Sequence, residues 1–156
     1  MLEYIELNVN PKRRKTGDCS TRALCQATNT PWADVLKMQC EESIRSCYDP
    51  TSDKVAEALL SRFGFEKMGK PFKPDGTTYA VCEMDQILKP DDIAVLKVAH
   101  HWVCVKGTQY VDTWNSGLKS VYGYYVRHKC KLNDLLLYAN GKRIRIDLTT
   151  GAAKVI

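Results

Sequence analysis

Thr16-Gly17-Asp18-Cys19-Ser20-Thr21-Arg22-Ala23-Leu24-Cys25 passes from a Gly-Asp bend straight into a helix-like pattern. That places Cys19 at a helix N-terminus. The first backbone N–H groups of a helix have no intrahelical acceptor and carry partial positive charge. Both features favour thiolate over thiol. A carbonyl attacked there develops its negative charge beside the same N–H groups, so the nucleophile comes with half of an oxyanion hole. Taken alone, the segment reads first as an ordinary helix start, with Asp18 as N-cap and Cys19 as a filler residue.

Outward from this segment, the chain divides into a helical first part and a β second part. Leu2 to Asn8 reads as a short strand, and Pro11 with the basic run Lys12-Arg13-Arg14-Lys15 as a loop. The first helix is expected over about 19–28, with Ala23, Leu24 and Ala27 on its buried side. Thr30-Pro31 restarts a helix over roughly 31–47, with Trp32, Val35, Leu36, Met38, Cys40, Ile44 and Cys47 as its apolar positions. Asp49-Pro50-Thr51-Ser52 breaks it. Val55, Ala56, Leu59, Leu60 and Phe63 mark a third helix that ends at Gly64. Residues 65–76 read as loop, 77–82 as a strand and 84–88 as a helical turn. Strands are expected over 93–98, 101–106, 109–114 and 122–126. A tail hairpin pairs 135–138 with 143–146 around Asn140-Gly141. The expected class is α+β: N-terminal helices packed on a C-terminal, mostly antiparallel sheet. One domain over 1–156 is expected, with a core of about 10–127 and a hairpin extension over 131–156.

A thiolate nucleophile needs an imidazole partner, and the imidazole an orienting group. His128 lies in the charged Arg127-His128-Lys129, whereas His100 and His101 stand at the mouth of a strand. With Gly107-Thr108 as a two-residue hairpin loop, Lys106 faces Gln109. His101 and Asp112 then lie diagonally on one face, within side-chain reach, and His100 points the other way. A three-residue loop brings Asn115 opposite His101 instead. Asp112 and Asn115 are therefore both candidate orienters. Val103, Val105 and Tyr110 share the His101 face as an apolar floor, and Cys104 belongs to the core.

Composition narrows the function classes. Hydrophobic content of 44% and charged content of 26% suit a globular chain. Seven cysteines (an odd number), no Cys-x-x-Cys pair and no apolar leader set the expectation of a reducing cytoplasm with mostly buried free thiols. No apolar run approaches the ~20 residues of a membrane span. His100, His101 and Cys104 are the candidate metal ligands, but no second pair has zinc spacing, so neither metal nor other cofactor is expected. The net charge of +5 is concentrated in Lys12–Lys15 and Lys142–Arg145. No aromatics interleave with these runs, and nucleic acid is not an expected partner.

Gly17-Asp18-Cys19 opening a helix, His101-Trp102-Val103 starting a strand and Tyr110-Val111-Asp112-Thr113-Trp114 on the next resemble a papain-like cysteine peptidase. The sequence is most similar to small papain-like proteins of bacteriophages and bacteria, which carry Gly-Asp-Cys-x-x-Arg-Ala. The resemblance covers about residues 10–127. It implies Cys19 as nucleophile, His101 as general base and then acid, and Asp112 as orienter, with Trp102 and Trp114 beside the substrate. Such enzymes usually carry a Gln a few residues before the nucleophile. None stands here, which leaves Asn8, Asn10 or backbone N–H groups as oxyanion donors. The expected activity is hydrolysis of a peptide, isopeptide or related amide bond in a peptide or protein substrate. The alternative is a catalytically silent papain-fold protein of phage origin, in the host cytoplasm, that binds and inhibits a host or defence protein.

Overall fold

The computed structural model describes residues 1–128, 134–139, 142–147 and 153–155. Three helices follow a first strand: β1 (Glu3–Glu6), α1 (Cys19–Thr28), α2 (Trp32–Ser46) and α3 (Asp53–Arg62). Then come β2 (Glu66–Met68), a 3-10 helix (Val81–Gln86), β3 (Ile93–Val98), β4 (His101–Lys106), β5 (Gln109–Asp112) and β6 (Gly123–Arg127). Six strands form one sheet in the order β1-β5-β4-β3-β6-β2. Every pairing in it is antiparallel except β1 with β5. The α+β class is thus the one the sequence pattern implies.

β3 and β4 lie at the centre and bury both faces, which is why they read as near-continuous apolar runs. On one face, Leu24 of α1, Val35 of α2 and Leu59 and Leu60 of α3 pack against Val95, Trp102, Cys104 and Tyr125. On the other, Val81, Met84 and Leu88 cover Leu96, Val103, Val105 and Tyr110. Each fully buried Leu or Val contributes on the order of 1.5–3 kcal/mol by leaving water.

Several elements depart from the sequence reading. Residues 66–68 are a strand, the sheet edge beside β6. Residues 77–82 make only single bridges, Phe72–Thr78 and Ala80–Ser120, before entering the 3-10 helix. Glu83 stabilises that turn by accepting the Ala80 N–H (2.9 Å) and pairing with Lys73 (2.8 Å). In α2 the buried face is Val35, Gln39 and Glu42, spaced i, i+4, i+7, while Cys40, Ile44 and Cys47 face solvent. Polar groups hold this face because each is paired: Thr21 Oγ1 donates to Gln39 Oε1 (2.6 Å), Gln39 Nε2 donates to Ser20 Oγ (3.1 Å), and Arg45 and Arg62 neutralise Glu42. The thiols are correspondingly less buried than expected. Cys25 and Cys104 are buried, Cys19 and Cys82 half-buried, and Cys40 and Cys47 exposed.

A second sheet, β7 (Asp134–Ala139), β8 (Lys142–Asp147) and β9 (Ala153–Val155), contains the expected tail hairpin in the register Ala139–Lys142 plus a third strand. Asn140, Gly141 and Cys130 lie outside the described residues. Among the described residues no helix is long and apolar enough to cross a membrane.

Candidate active site

Cys19 is the first residue of α1, which lies across β4. Asp18 precedes it but does not cap the helix, since its side chain makes no cap hydrogen bond. Its buried carboxylate is otherwise engaged. It pairs with Arg22, accepts the Trp32 indole N–H (3.0 Å) and accepts Asn10 Nδ2 (3.2 Å). The first-turn N–H groups of α1 are left without a carboxylate cap and remain open to an oxyanion.

The β4–β5 hairpin turns through two residues, with Lys106 paired to Gln109 and Gly107 at φ +60. This is the register that sets His101 diagonal to Asp112. His101 Nε2 lies 2.7 Å from Asp112 Oδ2. The second ring nitrogen, Nδ1, is the one left for Cys19, whose sulfur interacts electrostatically with the His101 ring. Asp112 is buried and further held by the Ser116 hydroxyl on Oδ2 (2.6 Å) and the Thr113 N–H on Oδ1 (2.7 Å). Ser116, fully buried, escaped the sequence reading. Its one signal is its place in the polar Asn115-Ser116-Gly117 turn.

The electrostatics of the pair oppose burial. Burial raises the Cys19 pKa, but the His101 hydrogen bond and charge, the Trp102 backbone N–H and Arg22 outweigh it, and the net shift is downward. Burial likewise lowers His101, yet the hydrogen bonds and charges of Asp112 and Cys19 carry it up to about 9. Both shifts favour thiolate beside imidazolium. The contrast with Cys25 and Cys104 is sharp, because burial without such partners pushes each up to about 12.

The other candidate residues separate cleanly. Asn115 is turned to Tyr110, whose hydroxyl donates to Asn115 Oδ1 (2.6 Å), and does not reach His101. Trp102 is core: it is buried, packs on Tyr125 and donates its indole N–H to Asp53 (3.0 Å). Trp114 is 42% exposed, and its ring lies 5.2 Å from that of His101. His100 does not point away. It occupies the β3–β4 turn at φ 54, where strand alternation no longer applies, and lines the same cleft as His101. Val103, Val105 and Tyr110 are not a floor for the site, because they lie in the core beneath the 3-10 helix. Asn8 lines the cleft but its amide donates to Arg14 O (3.3 Å), and Asn10 is buried with its amide on Asp18.

The cleft holds about 750 Å³ and is bounded by Glu6, Leu7, Arg13, Lys15, Thr113 and Trp114 around Cys19 and His101. Among the described residues no group of three or more His, Cys, Asp or Glu is placed to hold a metal ion. No family model matches the chain, and no curated protein or solved structure does either.

Proposed function

We propose that the chain is a papain-like thiol hydrolase that cleaves a peptide, isopeptide or related amide bond. The observation that carries this reading is His101, hydrogen-bonded to Asp112, lining one cleft with Cys19, with which it interacts electrostatically. The division of labour supports it as well: the helical half supplies the cysteine, and the sheet half the histidine and aspartate.

In this reaction Cys19 Sγ attacks the carbonyl carbon, and the resulting oxyanion faces the α1 N–H groups. The C–N bond breaks as His101 gives its proton to the leaving amine, which leaves an acyl thioester. Water then attacks the thioester while His101 takes a proton from it. The carboxylate product departs and Cys19 returns to thiolate beside imidazolium. Asp112 keeps Nε2 occupied so that Nδ1 faces the sulfur.

A second reading rests on the oxyanion donors. The Asn8 and Asn10 amides are both engaged elsewhere, so neither joins the backbone N–H groups. That suits a papain-fold protein that binds and blocks a host or defence protein without turnover. The test is wild type against Cys19→Ala on a library of peptide amides. Turnover by the wild type alone supports hydrolysis. Equal inactivity, with Cys19 no more reactive than the other thiols, removes it.

A further inference from the structure

We propose that the cleft selects substrates carrying a carboxylate beside the scissile amide, foremost an acidic peptide side chain, and that Arg13 and Lys15 read it. This deepens the hydrolase reading and rests on Cys19 being the nucleophile.

The basic loop is built rather than merely solvated. Asn10, buried, accepts the N–H of Lys12 (3.0 Å) and of Arg14 (3.4 Å) on Oδ1, while its carbonyl takes the Arg13 N–H (2.8 Å). The Asn8 amide closes the loop on Arg14 O. Arg13 is held in the left-handed region, at φ 51, a conformation that disfavours side chains and persists only where its surroundings impose it. The same Asn10 donates to Asp18, the residue before Cys19. The loop is thereby tied to the nucleophile as a wall of the cleft.

Its charge is unspent. Among the described residues neither Arg13 nor Lys15 has an acidic partner, whereas Arg22 is already paired with Asp18. Glu6 is the one acidic residue among the described lining. The positive end of α1 adds to the field. An anionic group entering here meets two unpaired cations, and a cationic one meets repulsion.

The test uses the whole protein and four peptides bearing a chloromethyl ketone or a chloroacetyl group, which alkylate a cysteine with loss of chloride. Three have blocked ends and Glu, Gln or Lys beside the reactive group. The fourth is a chloroacetyl peptide with uncharged side chains and a free C-terminal carboxylate. The rate at Cys19 is read by mass spectrometry and divided by the rate with neutral iodoacetamide. The expected order is Glu over Gln over Lys, with about a tenfold span that shrinks in about 0.5 M salt. Arg13→Glu with Lys15→Glu should invert it. Arg13→Gly with Lys15→Gln should flatten it, and glycine suits the left-handed position. A faster reaction with the fourth probe supports carboxylate selection and identifies a chain end as the source. Equal rates for the Glu and Lys probes, or a preference that survives both double variants, overturns the proposal. If iodoacetamide itself fails to favour Cys19, the hydrolase reading falls, and this proposal falls with it.

Discussion

His101 Nε2 sits 2.7 Å from Asp112 Oδ2, and both groups lie at the end of a hairpin whose register is fixed by a two-residue turn. The contact is a charge-assisted hydrogen bond shielded from water, since Asp112 is only 5% exposed. It orients the ring and holds the imidazolium form to a pH well above the ordinary range.

Asp112→Asn removes the carboxylate charge and leaves Cys19 to oppose burial at His101. The His101 pKa then falls from about 9. Less imidazolium means less support for the thiolate, so the Cys19 pKa rises. The pH profile of kcat/KM should narrow from both sides, with its alkaline limb moving down and its acidic limb moving up. An unmoved alkaline limb would assign that limb to another group.

His101 also links charge to folding. Its pKa is raised above the ordinary 6.5. Its contribution is therefore fully present below about pH 6.5 and is lost as pH rises through about 9. Urea unfolding of the wild type should show a decline across this window that His101→Gln lacks.

Ser116→Ala deletes a buried hydroxyl that donates to the oxygen shared with His101. A stability loss of about 1 kcal/mol is expected in urea unfolding. Cys19 alkylation at neutral pH should slow less than in Asp112→Ala. A loss of stability with an unchanged pH profile would make Ser116 purely structural.

The two tryptophans should separate in kind. Trp102→Phe shrinks a buried ring and loses its bond to the exposed Asp53, and should cost roughly 1–3 kcal/mol of stability with little effect on KM. Trp114→Ala removes a half-exposed ring beside His101 and should raise KM while leaving the melting temperature nearly unchanged. The opposite pattern would reassign both residues.

What the sequence shows and what it conceals divide along physical lines. Cys19 at a helix start and His101 diagonal to Asp112 are legible because local chemistry and the period of two set them: a Gly-Asp bend, then a Gly107-Thr108 turn. The β1–β5 parallel pairing is not legible, because β1 is short and its partner lies about a hundred residues away. Trp102 and Trp114 look alike in sequence, and only the packing of the helices over β4, α1 foremost, commits the first to the core. Asp18 fits the N-cap preference, yet Arg22, Trp32 and Asn10 outcompete the backbone for its oxygens. Gln39 is not legible as a buried residue because its partners, Ser20 and Thr21, come from another helix.

The most direct measurement is pH-dependent alkylation with iodoacetamide, located by mass spectrometry, in wild type and His101→Ala. Cys19 should react first, at a pH below the usual thiol value of about 8.5, while Cys25 and Cys104 stay inert. In His101→Ala burial is no longer opposed by the imidazolium, so the Cys19 curve should move up in pH and its lead should vanish. A Cys19 that reacts no faster than the exposed Cys40 and Cys47, or keeps its lead without His101, would contradict the thiolate–imidazolium pair.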